Sequence, residues 1–290
     1  MRRELCVFEN AKQNAERIAH SAQRKGCLMR ILFIGDIVGK PGRETVKALL
    51  PSLKQEFALD FIIANVENAA GGSGITPKVA DELFGYGIDA FTSGDHIFKK
   101  RDVLSIINDE PRLLRPANFP SVSPGRGAGI FKAKSGDSIL LINLLGRVFM
   151  EARECPFRVV REEIDKNKNN IIIVDFHAEA TSEKVAMGWF LDGVVSAVIG
   201  THTHIQTADE KILPKGTAYI SDAGMTGPHR SVIGRRIEDV LTRFITQVNQ
   251  RFEVANEDLR LQGVVLDIDN DSGKARSIAR IQRKLDDYKL

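Results

Sequence analysis

Five apolar runs in this chain each end on residues able to bind a cation. RILFIG ends on Asp36, FIIANV on Glu67 and Asn68, AFTSG on Asp95 and His96, IIIVDF on His177, and AVIGT on His202, with His204 close behind. An open α/β sheet binds its ligands just beyond the carboxyl ends of its strands, so residues far apart in the chain would meet in one crevice. Carboxylates, an amide and imidazoles without a thiol suit hard or borderline divalent metals. The expected fold is therefore α/β, with a metal-binding rim.

The chain of 290 residues is long enough for one large domain with a well-buried core. Its formal charge of +3 suggests a nucleic-acid partner only until it is divided along the sequence. Residues 1–28 hold six Lys/Arg and three Asp/Glu, which leaves 35 of each sign from Met29 onward. A neutral domain without a basic, aromatic-rich stripe gives no support for binding duplex nucleic acid, although local Arg side chains can hold a small anion. No apolar run approaches the ~20 residues of a membrane-spanning helix, so no membrane association is expected. Cys6, Cys27 and Cys155 are odd in number and lack metal-ligand spacing, which argues against a disulfide framework.

Residues 1–28 read as a polar, partly helical N-terminal extension, with Phe8, Ala11, Ala15 and Ile18 near helical spacing, ahead of a single domain over 29–290. The extension lacks the apolar stretch of a secretory signal, and its acidic residues argue against a transit peptide, so a cytoplasmic location is expected. Met29 is a candidate natural start; the alternative is an arm packing on the domain or on a neighbour. Association into a homo-oligomer is left open.

From residue 30 the pattern predicts a strand over 30–35, a helix over 43–57, a strand over 59–65, a helix over 76–86, a strand over 88–92 and a helix over 99–108. Short apolar runs separated by helical segments indicate parallel βαβ units. The segments 127–133 and 138–145, joined by a KSGD turn, predict an antiparallel hairpin. A helix over 156–167 then leads to buried strands over 171–176 and 193–200. Short strands at KIL and TAYIS, a helix over 236–249 and two strands within 260–268 and 274–283 complete the chain. Trp189, in MGWFLDG, is expected in the core.

Asp36, in GDIVGKPG, suits a metal ligand or a helix N-cap. Glu67 and Asn68 precede a glycine-rich loop; such a Glu can bridge two metals with its two oxygens, while the amide offers a neutral carbonyl oxygen. Asp95 suits a ligand, and His96 a ligand or a proton donor, since a histidine ordinarily titrates near pH ~6.5. The spacing His202-Thr203-His204 is the most specific local signal, because alternate residues of an extended segment point the same way. Asp175 or Glu179 is placed to orient the His177 ring. His20 reads as incidental, and His229 as either a substrate border or a turn.

Beyond these local readings, the strings MRILFIGDIVGKPGR, VENAAGGSGIT, LLRPANFP, VDFHAEATSEK, GTHTHIQTAD and LPKGTAYISDAGMTGP form a specific set. Through them the chain, from Met29 to about residue 285, resembles the bacterial calcineurin-like metallophosphoesterases of the YmdB type, which act as 2′,3′-cyclic nucleotide 2′-phosphodiesterases. The resemblance implies a four-layer α/β/β/α sandwich and two divalent metal ions, drawn from Fe, Mn or Mg. One ion would take Asp36, Glu67, Asn68 and His204, the other Glu67, Asp95, His177 and His202, with Glu67 bridging and His96 as general acid. The implied substrate is a small phosphodiester, opened by a bridging hydroxide between metals ~3.5–4 Å apart, with a 3′-phosphate as the product of 2′,3′-cyclic nucleotides. The alternatives are a phosphomonoesterase or protein phosphatase on the same site, or a regulatory protein that binds a nucleotide with weak turnover.

One position departs from the family pattern. Where it usually reads Gly-Asn-His, this chain has Gly94-Asp95-His96. A third carboxylate against the same cationic charge lowers the Lewis acidity of the metal and raises the pKa of its water. Asp95→Asn is expected to keep the metals and to shift the pH–rate profile of hydrolysis downward; an unmoved profile would count against this charge effect.

Overall fold

The computed structural model describes residues 28–151 and 153–288. The helical reading of residues 1–27, with His20, Cys6 and Cys27, lies outside the described residues. The run LMRILFI forms β1 (Leu28–Ile34), which is buried on both faces. Its side chains alternate between two cores, Ile31 and Phe33 entering one and Leu32 and Ile34 the other, as the two-residue period of a strand requires. Strand β2 (Asp36–Ile37) and helix α1 (Gly39–Glu56) follow. The helix starts before the expected residue 43 because Gly39 and Pro41 fall in its first turn, where proline's missing N–H costs nothing.

Strands β3 (Phe61–Asn65) and β4 (Ala90–Thr92) flank helix α2 (Pro77–Gly85) and extend β1 in parallel. The chain then enters a second sheet. The hairpin β5 (Ala128–Lys132) and β6 (Ser138–Leu145) leads through helix α3 (Pro156–Lys166) to β7 (Ile171–His177), and through helix α4 (Thr181–Phe190) to β8 (Ala197–Thr201). Short strands β9 (Lys211–Ile212) and β10 (Ala218–Ile220) close this sheet. Strand β11 (Met225–Pro228), helix α5 (Ile237–Thr246) and strands β12 (Leu259–Asp269) and β13 (Ala275–Lys284) return to the first.

The first sheet has seven strands in the order β2-β11-β12-β1-β3-β4, with β13 also on β12, and the second has six in the order β5-β6-β7-β8-β10-β9. One apolar core draws Phe33 and Ile63 from the first sheet and Leu141, Ile173 and Ile199 from the second. Another joins Leu32 and Ile62 to Val46, Leu49 and Leu53 of α1. A third joins Val174 and Val198 to Val160 of α3 and Met187 of α4. The continuous apolar runs of β1, β3, β7 and β8 thus reflect strands packed on both faces.

Several expectations need correction. The segment 99–108 forms only a short 3-10 turn at Arg101–Ser105. The strand expected over 193–200 begins at Ala197, because residues 191–196 are the turn leaving α4. Helix α4 itself carries no single apolar stripe, so periodicity does not reveal it. Trp189, expected in the core, is 55% exposed on that helix. Among the described residues, no helix is long and apolar enough to cross a membrane.

Ile173 sits fully buried between the sheets. Ile173→Ala is expected to cost roughly 2–5 kcal/mol in urea unfolding, the range for truncating a buried aliphatic side chain.

Candidate metal centre

The strand ends meet at the seam between the two sheets. Glu67, Asp95, His177 and His202 each present one ligand atom, all within 4.8 Å of one another. Beside them, His204 Nε2 lies 3.7 Å from Asp36 Oδ1 and 3.2 Å from the Asn68 side-chain amide, which is 3.1 Å from Glu67 Oε1. Every ligand candidate of the sequence is therefore brought to one place, in two groups that share Glu67. The close approach depends on Gly94, where a Cβ would stand 2.3 Å from both Glu67 Oε2 and His177 Nε2.

The His202-Thr203-His204 segment is a turn and not an extended strand. His202 has φ of 104° and His204 of 65°, conformations that non-glycine residues seldom adopt. Thr203 holds the turn by donating its N–H and Oγ1–H to Asp222 Oδ2, at 3.0 and 2.8 Å. The same oxygen accepts from Lys184 Nζ at 2.8 Å. Asp222 and Lys184, both buried, are positioning residues that sequence reasoning missed.

The proton positions on the histidines follow from their outer partners. Thr201 Oγ1 donates its single proton to Asp175 Oδ1 at 2.6 Å, so at 2.9 Å it accepts from His177 Nδ1–H. The lone pair of His177 is left on Nε2, which faces Glu67 Oε1 at 3.3 Å and Asp95 Oδ1 at 3.5 Å. His202 Nε2 lies 3.2 Å from Glu179 Oε2, and its Nδ1 lies 3.0 Å from His177 Nε2. His204 Nδ1 donates to the Ile233 carbonyl at 2.9 Å, leaving Nε2 toward Asp36. Asp175 therefore orients His177 through Thr201, and Glu179 lies beside His202.

Carboxylate oxygens and imidazole nitrogens crowd this centre. Asp36 Oδ1 and Asp95 Oδ1 are buried without a hydrogen-bond partner, which a neutral structure does not tolerate cheaply. Burial, resisted only in part by the charge of His177, raises the Asp36 pKa. Burial also acts against Glu67 and Asp95, but the charge and hydrogen bonding of His177 outweigh it and bring both below the usual carboxylate range. His177 is pushed well above its ordinary value, against burial, by the surrounding carboxylates. His202 is brought down to about 4 by burial and by His177. A pocket that demands positive charge, lined by oxygen and imidazole donors, fits divalent cations.

Two details differ from expectation. Glu67 does not present both oxygens to the centre, because Oε2 accepts the His96 N–H at 3.0 Å and only Oε1 stands between the groups. Asn68 turns its nitrogen toward Glu67 and His204 while its Oδ1 accepts from His96 Nδ1 at 2.8 Å. A half-turn of that amide, which exchanges two nearly isosteric groups, is needed for oxygen ligation.

A cavity of about 620 Å³ opens over the centre. Glu67, Asn68, His96, His202 and His204 form its floor, and Lys99, Arg235, Phe244 and Phe252 stand on its walls, none of them singled out in the sequence. His229 is absent from this lining; its Nδ1 is 3.1 Å from the Gly227 carbonyl, in a turn.

Comparison with known proteins gives a consistent picture. The model of the family described as YmdB-like protein matches residues 32–281. A 2′,3′-cyclic-nucleotide 2′-phosphodiesterase of Bacillus subtilis (strain 168) is 50% identical over 255 residues, covering 87% of this chain and 96% of that protein. A hypothetical protein from Thermus thermophilus superposes with a TM-score of 0.84 at 38% identity, covering 88% of this chain and 99% of its own. A novel phosphatase from Mycoplasma pneumoniae also reaches 0.84, at 36% identity and with 89% and 94% covered.

Thr201→Val removes the hydroxyl that links His177 to Asp175 at almost unchanged volume. It is expected to weaken metal affinity about 10–100-fold in a chelator competition. Unaltered affinity would show that the ring is oriented without it.

Proposed function

The chain belongs to the YmdB-like family, and on that premise we propose that it is a metal-dependent phosphodiesterase that opens 2′,3′-cyclic nucleotides at the 2′ oxygen. The observation that carries this reading is the convergence of three imidazoles and three carboxylates on one centre, with His177 and His204 turning their Nδ1 atoms outward to Thr201 and the Ile233 carbonyl. As a phosphoric diester hydrolase it matches the activity named for its Bacillus subtilis relative. The same reading takes the three apolar cores as the seams of a four-layer α/β/β/α sandwich.

Asp36, Glu67, Asn68 and His204 would hold one divalent cation, and Glu67, Asp95, His177 and His202 a second, with Glu67 common to both. Bound there, Fe, Mn or Mg ions would polarise a phosphoryl group and lower the pKa of a bound water. The protein's own part is to place the phosphate and manage the leaving group. His96 stands at the floor of the cavity, 31% exposed, with Nδ1 beside the Asn68 amide and Nε2 3.6 Å from Asp95 Oδ2. With the Asn68 oxygen turned to a cation, the amide would donate its N–H to Nδ1 and keep the ring proton on Nε2, from which it would pass to the departing ribose oxygen. Lys99, exposed at the mouth, adds a cation suited to an anionic substrate.

Adenosine 2′,3′-cyclic phosphate and a nitrophenyl phosphomonoester, supplied in parallel with manganese, test the reading. The expected outcome is adenosine 3′-phosphate from the first and slow turnover of the second; the reverse preference would make the chain a phosphomonoesterase. His96→Asn is expected to lower kcat on the cyclic nucleotide by roughly 10²–10⁴-fold. The loss should be much smaller on a nitrophenyl diester, whose leaving group departs without a proton; equal losses would remove His96 from the general-acid role.

A further inference from the structure

We infer that the apolar wall formed by Phe244 and Phe252, with Val240 beneath, is a stacking subsite for the base of the nucleotide. This rests on the phosphodiesterase reading and goes beyond it by naming what holds the end of the substrate that does not react.

The cavity has two unlike halves. Its floor is the polar rim of Glu67, Asn68, His96, His202 and His204, which accounts for a phosphate and its leaving oxygen. Its other side is apolar, and the volume of about 620 Å³ is in the range that encloses a whole small-molecule ligand. A cyclic phosphate with its ribose occupies only the rim; the remaining flat, weakly polar part of such a substrate is the base.

Phe244 is 68% exposed on α5, a helix whose one buried side chain is Val240. An aromatic ring left open on the wall of a ligand cavity is suited to meet a second π-face. Stacking of this kind grips a base by its face and tolerates different edges. The wall is also fixed relative to the metal ligands. Arg235 Nη1 donates to the Phe252 carbonyl at 3.3 Å and to Gly71 O at 3.5 Å, and its Nη2 bonds the Gly72 carbonyl. Gly71 and Gly72 belong to the loop that begins with Glu67 and Asn68, so one guanidinium ties base wall to phosphate floor. Gly72, with φ of 85°, is needed there because a Cβ would stand 2.5 Å from Arg235 Nη1.

A competing occupant is a second copy of the chain, because Leu241, Ile245 and Val248 are also exposed around α5. Of the exposed side chains on that helix, Phe244 is the one that lines the cavity, which favours the small ligand.

The test compares adenosine 2′,3′-cyclic phosphate with glycerol 1,2-cyclic phosphate, which keeps the five-membered diester and lacks the base. In Phe244→Ala the ratio of kcat/KM between them is expected to fall roughly tenfold, mainly through KM for the nucleotide, and Phe244→Trp should restore it. Titration calorimetry with adenosine 3′-monophosphate and glycerol 2-phosphate reads the same ratio without turnover. If the unaltered enzyme hydrolyses neither cyclic ester, the phosphodiesterase reading fails while the calorimetric ratio still judges the wall. An unchanged ratio overturns the inference. Equal losses on both ligands with a lowered sedimentation coefficient also overturn it, and assign Phe244 to a contact between copies.

Discussion

The chemistry of the rim depends on how its imidazoles are turned. Thr201 and the Ile233 carbonyl engage the Nδ1 atoms of His177 and His204, so both rings face Nε2 inward, while His202 faces Nδ1 to His177 and Nε2 to Glu179. The carboxylates are held by a related device. Asp36 Oδ2 accepts the His202 N–H at 3.2 Å and Glu67 Oε2 the His96 N–H at 3.0 Å, which leaves the opposite oxygen of each turned toward its neighbours. Acceptors packed in this way repel one another, and at low dielectric the repulsion is relieved by a proton or by a cation. Protonation of His177 is the proton solution; the donor set, carboxylate and imidazole without thiol, is better matched to a divalent metal.

The packing of the sheets makes that crowding possible. The carboxylates and the amide come from the start of β2 and the ends of β3 and β4, the imidazoles from the ends of β7 and β8, and the core formed by Phe33, Ile63, Ile173 and Ile199 fixes the distance between the two sets. Neither sheet alone assembles the centre. Side chains buried on both faces of a strand allow little rotation or slip, since a shift of one residue would exchange its two cores. The energy that holds the sheets together therefore also offsets the cost of bringing like charges close at the seam, including the strained turn at His202 and His204.

Much of this was legible in the sequence, for identifiable reasons. Strands such as IIIVDF announce themselves because both faces are apolar, and a polar residue at their end stands out against that run. The ligand candidates were found in this way. Legibility failed where tertiary partners decide. Nothing in the local pattern of Asp222 or Lys184 marks them as supports of the His202–His204 turn, because the pairing spans 38 residues. Of the two carboxylates offered as partners of His177, Glu179 adjoins it in sequence but lies beside His202 in space. Helix α4 escaped because its apolar residues are spread around its circumference, with Gly188 packed on the Tyr219 ring in place of a stripe. The cavity walls escaped because an exposed Phe244 looks like any other surface residue until the rim beside it is seen.

The two halves of the cavity are built under different constraints. The rim residues Asp36, Glu67, Asn68 and His177 are almost wholly inaccessible, and each is tied to backbone or to another buried polar group, so displacing any of them disturbs several hydrogen bonds at once. Phe244 lies on a helix with one buried side chain, and its ring can be changed with little effect on the packed core. Interactions that share no partners are energetically close to additive. Recognition of the non-reacting end can thus be altered on the wall without moving the atoms that act on phosphorus. One structural link between them is Arg235, which bonds the Gly72 carbonyl of the ligand loop on one side and the Phe252 carbonyl on the other. A guanidinium on backbone carbonyls transmits position rather than charge balance, so coupling between base binding and the metal rim should run through the placement of the loop at Gly71 and Gly72.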